Sequence, residues 1–298
     1  MHNPESVEVH GKKVWAEDIL ITPGGSATFV STALASLGVP VKLLSSVGND
    51  LTGQNMRVHF ANAGIDCVGV EILPKVCTTK SMIRCTGEKK EFFGCSPMLP
   101  ISLPSDSILD DVSIVYVAGY MLFPELWTDE AYQFFNEAVK RSIPLVIDGQ
   151  CTGIDAVDLD MSTYDALYRL LSISSVYLAA DKELRHLRTS YDEEGIAGNL
   201  LGKGLKTFVA KHGAKGCNVY SASGVSSAVS YPVDVYDSVG AGDIFGAGYT
   251  YGISQGWPSN QCAGFACAFA ALSLKRYEKN KVYPSAKRAR ELLDQQDG

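Results

Sequence analysis

Short runs of apolar, mostly β-branched residues recur along the chain. Five of these runs have the length and composition of strands that are buried on both faces. They lie at residues 41–47, 113–118, 144–147, 175–179 and 207–210. Residues 29–37 and 131–139 instead place apolar side chains every three to four positions, which predicts helices. Strands that alternate with helices predict an α/β protein with a mostly parallel sheet covered by helices.

Two stretches depart from this alternation. Residues 5–22 and 66–95 alternate apolar and polar positions, as half-exposed antiparallel strands do, and residues 86–89 predict a hairpin turn. We expect these stretches to pair into a small β-sheet. The predicted organisation is a lid formed by residues 1–22 and 66–100 and an α/β core formed by residues 23–65 and 101–298. Such an appendage covers a ligand in some proteins and is a dimerisation flap or decoration in others.

Composition and charge narrow the function classes. The chain has 298 residues, of which 46% are hydrophobic, enough to bury a sizeable core. Charged residues make up 20% and the net charge is -7, which argues against a nucleic-acid partner. Its apolar stretches are too short for a membrane span, which needs about 18 residues, and the first residues resemble no leader peptide. We therefore expect a soluble, cytoplasmic protein with no membrane partner.

The eight cysteines and five histidines indicate no metal centre in the sequence. No Cys-x-x-Cys pair occurs, and no histidine stands at ligand spacing from a cysteine, so a zinc site is not expected. The cysteines are scattered through predicted strands and helices, which is typical of buried thiols in a reducing compartment.

The segment Asp-Ser-Val-Gly-Ala-Gly-Asp, residues 237–243, carries the most chemical information. A Gly- and Ala-rich helix is predicted over residues 243–253. The glycines allow backbone amides to crowd around one point, and the helix start adds unpaired N–H groups, so the segment is a seat for an anion. Asp243 would lie beside a bound phosphoryl group, where it could accept the proton of an attacking hydroxyl. Alternatively, Asp243 is simply a favoured first-turn residue and the glycines serve close packing.

Three further segments occur in series with this one. They are Pro-Gly-Gly-Ser-Ala-Thr-Phe at 23–29 with its helix to Gly38, Val-Gly-Asn-Asp-Leu-Thr-Gly at 47–53, and Ala-Lys-His-Gly-Ala-Lys-Gly at 210–216. In order and spacing, from about Gly24 to near Lys275, the four segments resemble the ribokinase-like, or PfkB, carbohydrate kinases. The Asp-Ser-x-Gly-Ala-Gly-Asp element is strongly specific for that family, whereas the others are persuasive as a series.

The resemblance implies a Rossmann-like, three-layer α/β/α core with a small β-sheet lid. It implies transfer of the ATP γ-phosphoryl group, with Mg²⁺, to a hydroxymethyl group of a sugar or sugar-like molecule. By position, Asp243 resembles the general base, and the amides around Gly240, Ala241 and Gly242 resemble the anion hole that stabilises charge during transfer. The family habit, together with the alternation of the lid strands, also suggests a homodimer through the lid.

Ligand contacts are implied by position in the same way. The implied residues are Lys211, Gly213 and Gly216 at the ATP site, Asp237 near the place where some members bind a monovalent cation such as K⁺, Gly24, Gly25, Ser26 and Phe29 at the sugar, and Glu183 at the metal.

The chain also departs from the family pattern. The Asn expected after the double glycine is Phe29, which cannot hydrogen-bond a hydroxyl. In the family's Asn-x-x-Glu segment, Ala180 replaces the Asn while Glu183 is kept. Lys211 replaces a Thr, and it could reach a phosphate as a point charge or be solvated. The family's first strand, which carries a sugar-binding Asp, is missing before Gly24: either the start is truncated or that contact is gone. These departures favour a catalytically weak or inactive ligand-binding sensor, whereas the complete Gly-Ala-Gly-Asp favours a kinase.

Overall fold

The computed structural model describes residues 21–86, 89–94, 98–150, 161–184, 187, 192–235, 237–274 and 283–295. Residues 5–20 of the predicted lid stretch 5–22, and residues 87–88 at the centre of the predicted hairpin turn, lie outside these ranges. Within them the helices are α1 (Ser26–Ser36), α2 (Leu51–Asn62), α3 (Asp129–Lys140), α4 (Met161–Leu171), α5 (Asp181–Leu184), α6 (Glu193–Gly202), α7 (Ala241–Ser254), α8 (Ser259–Ser273) and α9 (Ala286–Asp294).

The strands form three sheets in the described part of the chain. The strands are β1 (Lys42–Gly48), β2 (Asp66–Leu73), β3 (Ser81–Thr86), β4 (Lys89–Gly94), β5 (Val115–Ala118), β6 (Leu145–Asp148), β7 (Val176–Ala180), β8 (Thr207–Lys211), β9 (Cys217–Ser221) and β10 (Gly224–Ala228). The large sheet has the order β10-β9-β8-β7-β6-β5, while β1 pairs with β2 and β3 pairs with β4. All five strands that the hydrophobic pattern predicts are present, as β1 and β5 to β8.

The large sheet is parallel from β5 to β8. Ala118 pairs with Asp148, and Ala180 pairs with Lys211, so these strands end together at one edge. β9 and β10 continue the sheet antiparallel, as a hairpin that the sequence reading did not predict. The predicted α/β class with a mostly parallel sheet and a small separate sheet is confirmed. The polar residues that follow the parallel strands meet at the shared carboxyl edge, where α/β proteins place their ligand sites.

The lid is only partly as expected. β3 and β4 form the predicted antiparallel hairpin, with Thr86 paired to Lys89. β2 instead pairs parallel with β1, so the antiparallel pairing predicted for residues 66–73 is wrong. The reason is the connection: α2 joins β1 to β2, and a strand that returns through a helical crossover lies parallel to the strand before it.

Helices cover both faces of the large sheet. On one face, Tyr177, Phe208 and Tyr220 stack side by side beneath α3, α4 and α6. On the other face, α7 and α8 pack on Val146, Leu178 and Val209. Every residue of β6 and β8 is buried, as the two-sided apolar runs predict. These three layers fix the ends of the strands that build the site.

The small, apolar run inside α7 has a packing explanation. An ideal Cβ at Gly248 would lie 3.0 Å from the Ala266 backbone of α8, and one at Gly252 would lie 2.7 Å from the sulfur of Cys262. Larger residues would push the two helices apart, because interiors have no spare room at this distance. The glycines in the C-terminal half of α7 therefore allow close contact with α8.

Residues 47–53 have a structural role, because Asp50 connects the start of α2 to residues 78–80. Asp50 caps α2 by accepting from the Gly53 amide (2.8 Å) and from the Thr78 hydroxyl (2.6 Å), and Lys80 pairs with it. The Thr78 hydroxyl bond, the Gly53 amide and Lys80 hold the pKa of Asp50 well below its usual range. This carboxylate joins the start of α2 to the segment that leads into β3.

The expectations from composition are met in part. Cys217, Cys262 and Cys267 are buried, but Cys77 is exposed, so the expected burial of the cysteines is wrong at that position. Among the described residues, no helix is long and apolar enough to cross a membrane.

Candidate active site

Gly240 forms the turn that starts α7. Its φ of 80° lies in the left-handed region, where glycine is favoured, and it occupies the N-cap position. An ideal Cβ there would lie 2.8 Å from the ring of Phe29. Phe29, predicted at the sugar, is buried and packs against this turn. The structure therefore places Phe29 as a support of the helix start.

Three backbone amides at this helix start donate to no acceptor among the described residues: those of Gly240, Gly242 and Asp243. The Ala241 amide, also expected in the anion hole, instead donates to the Ser238 carbonyl at 3.2 Å. The amides of a helix start and its positive dipole end together attract an anion. The predicted anion seat thus has three available donors in this structure, with Asp243 contributing its amide in place of Ala241.

Asp243 lies in the first turn of α7 with only 5% of its surface exposed. Its Oδ1 accepts a hydrogen bond from the Gln150 Nε2 at 2.6 Å. Burial raises the pKa of the Asp243 carboxyl to about 7; the charges of Asp148 and Glu183 also raise it, while Lys211 and the Ser26 hydroxyl lower it. A carboxyl group whose pKa lies near neutrality can both take up and release a proton, as a general base must.

A buried ion pair lies next to Asp243. Lys211 Nζ contacts both oxygens of Asp148, at 3.1 and 3.2 Å, and the Tyr116 hydroxyl donates to Asp148 Oδ2 at 2.9 Å. Burial alone would lower the pKa of Lys211, but Asp148, Glu183 and Asp243 outweigh it and the pKa is raised. Lys211 is therefore a charged, buried ammonium, and the expectation that it could be solvated is wrong.

Two glycines of α7 let this cluster approach the helix. An ideal Cβ at Gly242 would lie 3.7 Å from the Lys211 Nζ, and one at Gly246 would overlap the Tyr116 hydroxyl. Residues four apart share one face of a helix, so both groups approach the same side of α7. The Lys211 ammonium consequently lies beside the amides of the anion seat.

Glu183, predicted at the metal, is buried and its Oε2 accepts from the Ala180 amide at 2.6 Å. This bond closes the turn from β7 into α5. The carboxylate is near enough to the centre to affect the pKa values of Asp243 and Lys211. A carboxylate oxygen is a suitable ligand for Mg²⁺.

Gly213 and Gly216, predicted at the ATP site, lie in the turn between β8 and β9 with φ angles of 57° and 94°. A side chain at Gly216 would overlap the Ala228 carbonyl, so the backbone itself requires glycine there. Asp237, predicted near a monovalent cation, accepts from the Val239 amide at 2.9 Å. The glycines thus shape the turn after β8, and Asp237 shapes the turn that precedes Gly240.

His212 joins two carboxylates beside this turn, a cluster that the sequence did not predict. Its Nδ1 contacts Asp181 Oδ1 at 2.6 Å and its Nε2 contacts Glu193 Oε2 at 3.1 Å. The three residues are the one group in the described part of the chain whose spacing could hold a metal ion. Glu193 also accepts from Tyr220 and Asn218, so the cluster ties β8, β9 and the start of α6 together.

The predicted acceptor residues stand at the start of α1. Gly24 and Gly25 are exposed, and Gly25 has a φ of 95° at the N-cap. The Ser26 hydroxyl donates to Gln150 Oε1, and it also lies close enough to Asp243 to lower the pKa of that carboxyl, so Ser26 reaches Asp243 both directly and through one amide. Sequence reasoning missed Gln150, Asp148 and Tyr116. The available signal was the polar pair Asp148 and Gln150 directly after a fully buried strand.

The whole chain was compared with known families. Residues 4–286 match the model described as pfkB family carbohydrate kinase. The chain belongs to this family. The predicted resemblance and the predicted enzyme class, a phosphotransferase, are thereby confirmed. Among curated relatives, a 5-dehydro-2-deoxygluconokinase of Clostridium tetani is 24% identical, with 91% of this chain and 83% of the relative covered. That of Bacillus subtilis is 22% identical, with 92% and 87% covered.

Solved pfkB-like structures agree with the fold. The ribokinase of Arabidopsis thaliana, complexed with ribose and ATP, superposes with a TM-score of 0.78 at 19% identity and covers 97% of this chain and 93% of its own. A candidate ribokinase II of E. coli, in complex with ATP and Mg²⁺, gives a TM-score of 0.76 at 22% identity, with 94% of each chain covered. The predicted ribokinase-like, three-layer architecture is confirmed.

Proposed function

We propose that this pfkB family member transfers the γ-phosphoryl group of ATP to a hydroxymethyl group of a sugar or sugar-like molecule. The observation that carries the proposal is the start of α7: a buried carboxyl group, Asp243, with a pKa near neutrality beside three amides without acceptors in the described structure. The amides suit the phosphoryl group and the carboxylate suits the hydroxyl that attacks it.

The proposed reaction proceeds in one in-line step. Asp243 takes the proton of the acceptor hydroxyl as the acceptor oxygen forms its bond to the γ-phosphorus. The bond from the γ-phosphorus to the bridging oxygen breaks, and its electron pair leaves with ADP. The Gly240, Gly242 and Asp243 amides and the nearby Lys211 ammonium would oppose the negative charge of the migrating group. Positioning and charge neutralisation thus supply most of the catalysis.

The proposal includes Mg²⁺, which a relative's complex supports, and a monovalent cation, which stays a prediction. Mg²⁺ would neutralise phosphate charge, and the buried carboxylate of Glu183 is a hard oxygen donor that fits it. The complex of the E. coli relative with ATP and Mg²⁺ supports both ligands. A K⁺ site near Asp237 stays a prediction, which dependence of turnover on K⁺ against Na⁺ would test.

The acceptor is proposed to approach from the start of α1, because Gly24 and Gly25 are exposed there and Ser26 is hydrogen-bonded to the amide that contacts Asp243. The curated relatives are 5-dehydro-2-deoxygluconokinases, so 5-dehydro-2-deoxygluconate is the first acceptor to test. Ribose, fructose and inosine follow, because solved relatives are a ribokinase, a fructokinase and a nucleoside kinase.

The test is phosphoryl transfer from Mg-ATP to this panel, followed by ADP release and by mass spectrometry of the phosphate ester. We expect one acceptor to gain a phosphoryl group with the wild-type enzyme, and Asp243→Asn to be the matched blank. The other candidate is a ligand-binding sensor, which Phe29 and Ala180 at family polar positions favour. If no acceptor is phosphorylated while panel compounds still raise the melting temperature, the sensor function replaces the kinase.

A further inference from the structure

Gln150 connects two parts of the candidate site that the sequence treats separately. Its Nε2 donates to Asp243 Oδ1 at 2.6 Å, and its Oε1 accepts from the Ser26 hydroxyl. Both ends of one amide are therefore used. One end contacts the proposed base and the other contacts the proposed acceptor side, across 93 and 124 residues of sequence.

The backbone of Gln150 is also unusual. Its φ of 39° lies in the left-handed region, which residues with a side chain seldom adopt. The residue directly follows Asp148 and Gly149, at the carboxyl end of β6. An ideal Cβ at Gly119 would lie 3.2 Å from Gln150 Oε1, so glycine at 119, the residue after β5, leaves room for this amide. Such a conformation costs stability, and it is retained where it serves a site.

We propose that Gln150 is a positioning residue for phosphoryl transfer, which holds the Asp243 carboxylate in the orientation that receives the acceptor proton. This role rests on the proposed kinase function. With Oδ1 engaged by the amide, Oδ2 is the oxygen that takes the proton from the acceptor hydroxyl. Ser26 fixes the amide from its other side, so the position of the base is linked to the start of α1, where the acceptor enters.

A purely structural role makes a different expectation. A strained residue kept only for packing would give variants whose activity follows their stability. If the Gln150 amide instead serves the base, the loss of activity should not follow the loss of stability. Gln150→Gly and Gln150→Ala remove the same hydrogen bonds, but only glycine relieves the left-handed backbone.

The experiment therefore compares these two variants with the wild-type enzyme, using the best acceptor from the panel. We expect kcat to fall by about 10- to 100-fold in both, because a loosely held base is misplaced. The Gly variant should nevertheless melt about 2 °C above the Ala variant. Equal loss of kcat despite unequal stability supports the positioning role.

A third variant, Gln150→Glu, tests the contact with Asp243 itself. It keeps the size of the side chain and places a second carboxylate against Asp243. Among the described residues, the other charged or titratable groups that face Asp243 are Asp148 from β6, Lys211 from β8, Glu183 from α5, and the phenols of Tyr116 and Tyr283. These stay unchanged in the variant. We expect the acid limb of kcat/KM to move up by about one pH unit or more, because like charges disfavour ionisation.

The outcomes separate this role from the proposed function. If wild-type enzyme transfers and Asp243→Asn does not, while Gln150→Ala stays within about threefold of wild type and Gln150→Glu leaves the acid limb in place, the kinase stands and the positioning role is wrong. The role is also wrong if kcat in the Gly and Ala variants follows their melting temperatures. If wild-type enzyme transfers to no acceptor, the proposed function fails first and this role fails with it.

Discussion

The two sides of the candidate site are built in opposite ways. The phosphoryl side, which is proposed to bind the phosphoryl group, contains Asp148, Lys211 and Asp243. Each of these residues is less than a tenth exposed, and Asp148 and Lys211 form a close ion pair. The acceptor side, which is proposed to bind the acceptor, contains Gly24 and Gly25, and both are exposed at the start of α1. Buried groups are held in place by the core, whereas a surface turn can change at little cost. If the proposed function holds, the core fixes the groups that carry the chemistry, whereas exposed residues choose the acceptor.

Burial of the charged groups on the phosphoryl side is also unfavourable for stability. One buried ammonium, Lys211, faces the buried carboxyl groups of Asp148, Glu183 and Asp243. Burying charge is unfavourable unless each charge is paired. The raised pKa of Asp243 is the visible sign of this cost, because the folded protein prefers to keep that group protonated. Loss of stability in exchange for a reactive group is a common feature of active sites.

The largest effect is expected on breaking the ion pair of the phosphoryl side. Lys211→Met leaves Asp148 buried without its cation, and we expect a loss of about 3–5 kcal/mol in the free energy of unfolding. Chemical denaturation measures it. The double variant Lys211→Met with Asp148→Asn is the control, and it should recover most of the loss. An unchanged midpoint in the single variant would show that the pair is not buried in solution.

The next effect is the loss of unfolding free energy that the raised pKa of Asp243 causes. Its pKa is raised from 3.8 to about 7. Below pH 3.8 the carboxyl is protonated in both states; as the pH rises toward 7 only the unfolded state ionises, so stability falls. Asp243→Asn removes this loss, which can reach about 4 kcal/mol at pH 8. We expect the variant to be more stable than wild type at pH 8 and about equal at pH 4. Equal stability at both pH values contradicts the raised pKa.

A smaller effect is expected where α7 meets the cluster. Gly246→Ala would place a methyl group on the Tyr116 hydroxyl and displace it from Asp148. We expect a loss of about 1–3 kcal/mol in unfolding free energy, the usual cost of overpacking. Tyr116→Phe removes the hydroxyl, so the Ala substitution should cost less in that background. Equal costs in both backgrounds would mean that the hydroxyl is not the obstacle.

The smallest stability effect is expected on the acceptor side. Gly24 is exposed, and an added Cβ there would meet nothing within 4 Å. Gly24→Ala should therefore change the unfolding free energy by about 0.5 kcal/mol or less. We expect it to raise KM for the acceptor several-fold and to leave KM for ATP unchanged. An increase in KM for ATP alone would place Gly24 away from the acceptor.

Local patterns predicted β1, β5 to β8 and the helices α1, α3 and α7, because two-sided apolar runs and helical spacing depend on neighbours in sequence, but they missed the β9–β10 hairpin. The anion seat was predicted in the same way, from Gly-Ala-Gly-Asp, although the helix begins at Ala241, two residues before the predicted start at Asp243. The partners of Asp243 could not be predicted, since Gln150 and Asp148 are brought to it only by the order of strands in the sheet. For the same reason, the sequence could not decide whether Lys211 reaches a phosphate or is solvated, whereas β8 places it in the core.

The proposed mechanism depends most on Asp243 as the base, and single-turnover phosphoryl transfer tests this role directly. Wild-type enzyme and Asp243→Asn would be compared in excess over ATP, with a saturating acceptor and with ATP binding measured separately. We expect the transfer rate of the variant to fall by about 100- to 10,000-fold while its affinity for ATP is retained. A variant that binds ATP and transfers within about threefold of the wild-type rate would contradict the account.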